Sequence, residues 1–133
     1  DDYSSAGVQI ATAGRTVVDT PKRLLATRLS WQVSRAWDLR VGAKYTGQRF
    51  ISYLNDSRVA SHVLVDAALN WSPPPPRWAR SLDLQLAVGN LLDRDYIATV
   101  GTTGFLASDP DGQRHTLLAG APRQAFFTLR LGF

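Results

Sequence analysis

The sequence predicts an all-β chain: an antiparallel up-and-down meander belonging to a transmembrane β-barrel. Three observations carry this. Apolar and polar residues alternate with period two along five stretches of roughly ten residues, about the length a tilted strand needs to cross a bilayer. The connections between these stretches alternate short and long. The tryptophans gather at the short-connection ends, where an interfacial aromatic girdle would lie.

Each element follows in order. Residues 1–20 are rich in Ser, Gly, Thr and Asp and read as an extracellular loop, with a partial strand at Val8 to Ala11. Residues 21–133 read as barrel strands. In the first, Leu25, Thr27, Leu29, Trp31 and Val33 alternate with Ala26, Arg28, Ser30, Gln32 and Ser34. A tight connection at 35–38 leads to the second, where Leu39, Val41, Ala43 and Tyr45 alternate with Arg40, Gly42, Lys44 and Thr46. A polar loop at 51–60 precedes the third, with Val63, Val65, Ala67, Leu69 and Trp71 on one face. Pro73 to Pro76 end it, because proline cannot donate to a ladder. Leu82, Leu84, Leu86 and Val88 mark the fourth, and a long loop at 98–119 follows. The fifth runs from Ala121 to Phe133, with Phe127, Leu129, Leu131 and Phe133 on one face and Gln124, Thr128 and Arg130 on the other. An apolar face toward lipid and a polar face toward a wet lumen is the outer-membrane barrel pattern. Trp31, Trp37, Trp71, Trp78 and Phe133 all fall at the short-turn ends.

Composition excludes several classes. The 133 residues hold no cysteine, so no disulfide framework and no thiolate metal site. Fifteen Lys and Arg stand against eleven Asp and Glu, an excess too small to argue for nucleic acid. His62 and His115 lack partners at ligand spacing, and no metal or cofactor is indicated. Ser61, His62 and Asp66 do not form a triad, since Ser61 faces away from the other two on a strand. No set of catalytic side chains converges, so the chain does not read as an enzyme.

Several short segments resemble a known family. Val88-Gly89-Asn90-Leu91-Leu92-Asp93-Arg94-Asp95-Tyr96 resembles the N-L-[FL]-D-x-x-Y signature on the penultimate strand of TonB-dependent outer-membrane receptors of the siderophore-receptor type. Gly120-Ala121-Pro122-Arg123 ahead of Phe133 resembles their closing G-x-P-R…F strand. Thr20-Pro21-Lys22 and Val63-Leu64-Val65-Asp66 resemble the entries to two earlier strands. The family motif thus falls on Asn90, Leu91, Asp93, Tyr96, Gly120, Pro122 and Arg123. The resemblance implies the last five strands of a barrel of about twenty-two, closed around a plug. It implies localisation in the cell outer membrane and active uptake of a scarce nutrient, most often a ferric siderophore, driven through TonB. The implied partners are the remaining barrel strands, the plug domain, TonB and the ligand. A small porin or barrel enzyme, or a soluble all-β binding domain, are the alternatives.

Three groups of candidate residues follow. Tyr53, Asn55, Arg58, Phe105 and His115 lie in the long loops, where aromatic and cationic groups suit a bulky anionic chelate. Phe127, Leu129, Leu131 and Phe133 resemble the signal read by the barrel-assembly machinery. Arg23, Arg49, Arg94 and Arg123 each lie roughly ten to thirteen residues from a short turn, in the alternation of the lipid-facing residues. At about 3.3 Å per residue that height is where lipopolysaccharide phosphates begin, and arginine grips phosphate bidentately.

Overall fold

Paired backbone N–H and C=O groups build the molecule almost throughout. The computed structural model describes residues 3–5, 8–101 and 116–133. Among them are eleven strands and no helix: β1 (Tyr3–Ser5), β2 (Val8–Ile10), β3 (Leu24–Gln32), β4 (Trp37–Thr46), β5 (Arg49–Phe50), β6 (Arg58–Val59), β7 (His62–Trp71), β8 (Ser81–Gly89), β9 (Ile97–Gly101), β10 (Thr116–Ala119) and β11 (Gln124–Gly132). The five long strands form one sheet in the order β11-β8-β7-β4-β3. This is the predicted meander, with neighbours in sequence paired in space. The shorter strands form two-stranded ribbons, β1 with β2, β5 with β6 and β9 with β10.

The register keeps apolar beside apolar. Phe127, Leu129 and Leu131 of β11 oppose Leu86, Leu84 and Leu82 of β8. Leu69 and Trp71 of β7 oppose Leu86 and Leu84 from the other side. Between β4 and β7, Ser72 N–H donates to Ala36 C=O at 2.8 Å, and Trp37 stacks on Trp71 at 5.4 Å. At the β3–β4 turn both Val33 N–H (3.0 Å) and Ser34 N–H (3.3 Å) donate to Trp37 C=O, the signature of a β-bulge. The bulge absorbs one residue, so Leu29 falls opposite Val41 and odd residues of β3 meet odd residues of β4. Leu29 and Leu84 therefore share a face, as the alternation predicts.

That face has no cover. Leu29 is 63% exposed and Phe127 67%. Among the described residues the buried apolar side chains are Val59 and Val100, neither of them in the five-stranded sheet. A soluble sheet would bury its leucines; this one presents them.

The chain divides into two compact units. One comprises Asp1–Leu24, Thr46–His62 and Asp95–Gly120; the other comprises Leu25–Tyr45, Val63–Arg94 and Ala121–Phe133. The first holds the ribbons; the partial strand expected at Val8 to Ala11 is present as β2, while the other ribbon strands lie mostly where loops were expected. The loop expected at 51–60 overlaps the β5–β6 ribbon, and the one at 98–119 carries parts of β9 and β10. The last strand begins at Gln124 rather than Ala121, because Ala121 C=O and Arg123 N–H turn to side chains and Pro122 has no N–H.

One outcome follows from the uncovered face. An exposed apolar surface well above about 400 Å², with an open edge on each outer strand, drives association in water. The chain should elute as large aggregates without detergent and as a single species in micelles, measured by size exclusion with light scattering. A sharp monomer peak in plain buffer would contradict this.

Candidate functional site

The residues at the end of β8 are positioned by one asparagine. Asn90 sits at φ 49°, a left-handed conformation that asparagine tolerates well. It is 6% exposed. Its backbone N–H donates to Asp66 Oδ1 at 2.9 Å, its Oδ1 accepts Arg94 N–H at 2.9 Å, and its Nδ2 donates to the carbonyls of Arg94 (2.9 Å) and Ala121 (3.1 Å). Three separate chain segments thus meet at one amide. Asp93, at φ 51°, continues the turn, with its N–H on Asn90 C=O at 2.9 Å. Its Oδ1 accepts Arg123 N–H at 2.9 Å, and its Oδ2 lies 3.6 Å from the Arg123 guanidinium. Leu91 is exposed, while its N–H donates to Val65 C=O at 2.7 Å. Asn and Asp here end the strand and bind backbone, as the sequence reading expected of a turn.

Tyr96 and Gly120 of the motif lie in the ribbon unit. Gly120 N–H donates to Tyr96 C=O at 2.8 Å, and a Cβ on Gly120 would overlap the Tyr96 ring. Only glycine lets the ring lie flat there. The same ring lies 4.7 Å from that of His62, between centroids.

The polar face of the sheet holds a cleft of about 540 Å³ lined by Asp38, Arg40, Asn70, Ser72, Asp83, Gln85, Thr128 and Arg130, with Leu84. Much of its charge is matched internally. Arg40 pairs with Asp38 at 2.8 Å, Asn70 Nδ2 donates to Asp38 Oδ1 at 2.9 Å, and Ser72 Oγ donates to Asp83 Oδ1 at 2.6 Å. Arg130 sits directly opposite Asp83 in the ladder. Arg40, Asp83, Gln85 and Arg130 were expected on this face. Asp38 was assigned to the turn; the alternation simply continues back through it.

The ribbon unit has a buried charge at its centre. Arg49 is only 5% exposed. Its guanidinium pairs with Asp19 Oδ1 at 2.7 Å and donates to Ala98 C=O at 2.8 Å and to Ile97 C=O. Asp19 Oδ2 in turn accepts Val100 N–H at 3.3 Å, and Asp19 N–H donates to Phe50 C=O at 3.0 Å. This corrects the expectation that Arg49 faces lipid. The strand breaks between Thr46 and Arg49, where Gly47 N–H donates to Arg23 C=O at 2.9 Å, and the break resets the alternation. Arg49 turns inward and is too deeply buried to reach a lipid phosphate. Arg23, Arg94 and Arg123 are exposed. Arg123 shares its charge with Asp93.

Among the loop candidates, Asn55 is also reassigned. At φ 61°, it accepts Thr16 N–H at 2.7 Å and donates to the carbonyls of Thr16 (2.9 Å) and Ser52 (3.2 Å). Its amide closes the 51–57 loop and has little left for a ligand. Beside it, fully buried Ser52 donates to Asp56. Tyr53 and Arg58 are exposed, with Arg58 donating to Gln48 Oε1 at 3.2 Å. Phe105 and His115 lie outside the described residues. At the turn end of the sheet, Trp78 stacks on Phe133 at 6.1 Å and Trp31 stays 59% exposed, which fits a girdle.

Comparison with solved structures gives the fold a context. The ferric citrate transporter FecA, in its unliganded form, matches 89% of this chain with 17% of its own, at 19% identity and a TM-score of 0.70. The siderophore receptor PiuA from Acinetobacter baumannii matches 96% of this chain with 16% of its own, at 19% identity and a TM-score of 0.71. The ferric-catecholate import receptor Fiu from E. coli K12, in its open form, matches 83% of this chain with 15% of its own, at 25% identity and a TM-score of 0.60. The chain therefore spans about one sixth of the length of those proteins, and its sheet matches a stretch of barrel. No family model matches the chain, and no curated protein does.

The two polar centres give paired predictions. Asn90→Ala leaves buried N–H and C=O groups unsatisfied and should cost about 2–3 kcal/mol in urea-driven unfolding in micelles. Arg49→Ala leaves Asp19 without its partner in a half-buried setting and should cost about 3 kcal/mol. Limited proteolysis distinguishes them: Arg49→Ala should expose sites in the ribbon unit, and Asn90→Ala sites around 90–94 and 121–123. Identical cleavage maps would show that the two centres do not act locally.

Proposed function

We propose that this chain forms five strands of the barrel of a TonB-dependent outer-membrane receptor that takes up a ferric siderophore. The observation that carries the reading is the sheet itself: five bilayer-length strands in one meander, apolar on one face and hydrated on the other, matching a stretch of receptors that import ferric chelates. The Asn90–Asp93 turn supports it, because Asn90, Leu91, Asp93, Tyr96, Gly120 and Arg123 of the motif each take part in a hydrogen bond. By itself the chain encloses no pore, since β3 and β11 each leave an edge for another strand. The rest of the barrel, the plug and TonB are its proposed partners.

In this reading the uncovered leucines face lipid, and the polar cleft belongs to the lumen wall. Tyr53 and Arg58, both exposed, are the candidates among the described residues for contact with an anionic chelate. Arg23, Arg94 and Arg123 are the arginines left to meet lipopolysaccharide phosphates. Phe127, Leu129, Leu131 and Phe133 supply the signal for the barrel-assembly machinery. A non-enzymatic role is supported by the matched structures, which are transport receptors.

The test is uptake by the full-length protein in iron-starved Gram-negative cells that lack other receptors. Accumulation of a radiolabelled ferric siderophore should be saturable and should vanish when TonB is removed. TonB-independent flux of unrelated small solutes would support a porin and overturn the reading.

Two features are checked in the same cells. Deleting Phe133 should reduce the amount of protein in the outer membrane. Replacing Arg23, Arg94 and Arg123 together by Ala should reduce co-purifying lipopolysaccharide. An unchanged protein level, or unchanged lipid content, removes the corresponding role.

A further inference from the structure

The connection between β7 and β8 is longer than the fold requires. Adjacent antiparallel strands can be joined by two residues, and the β3–β4 connection at the same end of the sheet uses four, Val33 to Ala36. Between Trp71 and Ser81 there are nine, reading Ser-Pro-Pro-Pro-Pro-Arg-Trp-Ala-Arg. We propose that Pro73–Pro76 with Arg77 is a docking segment for a protein partner whose groove is lined by aromatic rings and edged by carboxylates.

The backbone of this segment is fixed before any partner arrives. Proline holds φ near about −65°, and a residue preceding proline is pushed out of the helical region. Pro73, Pro74 and Pro75 each meet both conditions, and none of the peptide bonds is cis. The result is polyproline II, a left-handed helix of about three residues per turn with no internal hydrogen bonds. Without N–H groups the run cannot extend the sheet. Its two ends are tied down. Ser72 N–H donates to Ala36 C=O at 2.8 Å, Ala79 N–H donates to Pro76 C=O at 2.9 Å, and Arg80 N–H donates to Gly132 C=O at 2.7 Å. Binding therefore orders little further chain, the condition under which a short contact gains most.

The exposed groups define the partner. Pro74, Pro75 and Arg77 are exposed, and Trp78, although stacked on Phe133, is 65% exposed. Exposed rings on a polyproline helix fit between the aromatic side chains of a groove. Arg77 and Arg80 flank the run, and no acid occurs between Trp71 and Leu82, so the complementary surface is acidic. Anionic lipid would also meet the arginines and Trp78. It gives no reason for four consecutive prolines, whereas a groove of this kind does.

The proposal rests on the barrel reading only in placing this turn in water beside the membrane, and its test is separate. The probe is an isotope-labelled SH3 domain with an acidic specificity pocket, titrated with the chain in detergent micelles and followed by NMR. Saturable shifts confined to the aromatic groove are expected. Pro74→Ala with Pro75→Ala should weaken binding by about tenfold or more, and Arg77→Glu should both weaken it and flatten its salt dependence. Far-UV circular dichroism confirms that each variant keeps its sheet. No saturable shift, shifts outside the groove, or equal affinity for the double-alanine chain overturns the proposal. So does binding of the chain to phosphatidylglycerol vesicles that blocks the probe and survives the proline substitutions. Whether the strands enter a bilayer is read independently by protease protection, so failure of the barrel reading shows up separately.

Discussion

Strand register is the constraint on which the structure depends. A β-strand shows its side chains alternately to two faces, so a slip of one residue between any two neighbours would exchange the faces of every strand beyond it. Along the paired lengths of β11, β8 and β7 no such slip occurs. Leu86 lies between Phe127 and Leu69, and Gln85 lies between Thr128 and Asn70. The bulge at Val33 and Ser34 is confined to a turn and keeps the faces aligned on both strands. Continuous registration lets one surface be leucine and phenylalanine throughout while the other gathers Asp38, Arg40, Asp83 and Arg130 around a cleft.

The same rule explains what could be read from the sequence. All five long strands were legible, because period two over nine or ten residues is a strong signal and each strand has one apolar face. Of the ribbon strands only β2 was, as the partial strand at Val8 to Ala11. β5 and β6 are two residues each, too short for any period. The start of β11 was misplaced for a related reason. Alternation continues through Ala121 and Arg123, but it reports side-chain polarity and not where a backbone N–H is spent, and there the bonds go to Asn90 and Asp93.

The site residues divide along that line as well. The turn role of Asn90 and Asp93 was legible, since both residue types tolerate positive φ and bind backbone. The inward turn of Arg49 was not fixed by local pattern. It depends on Asp19, thirty residues earlier, and on the carbonyls of Ile97 and Ala98, nearly fifty later. Asn55 misled in the same way: an exposed-looking polar loop residue proved to be bound to Thr16, thirty-nine residues away. Long-range polar pairing leaves no periodic trace.

The bonding around Asn90 also bears on how this protein ages. Asparagine decays when the following backbone nitrogen attacks the side-chain amide to give a cyclic imide, which opens to aspartate or its β-linked isomer. Here Leu91 N–H is committed to Val65 C=O, and both hydrogens of the Asn90 amide are held by the carbonyls of Arg94 and Ala121. The nucleophile and its target are each tied to a different partner. Hydrolysis would also exchange two donors for oxygen lone pairs aimed at carbonyl oxygens, so the folded state opposes the product as well as the path to it. The residue that most needs to remain an amide is thus shielded from the spontaneous chemistry that would convert it, and the turn it holds together is protected for as long as the fold stays intact.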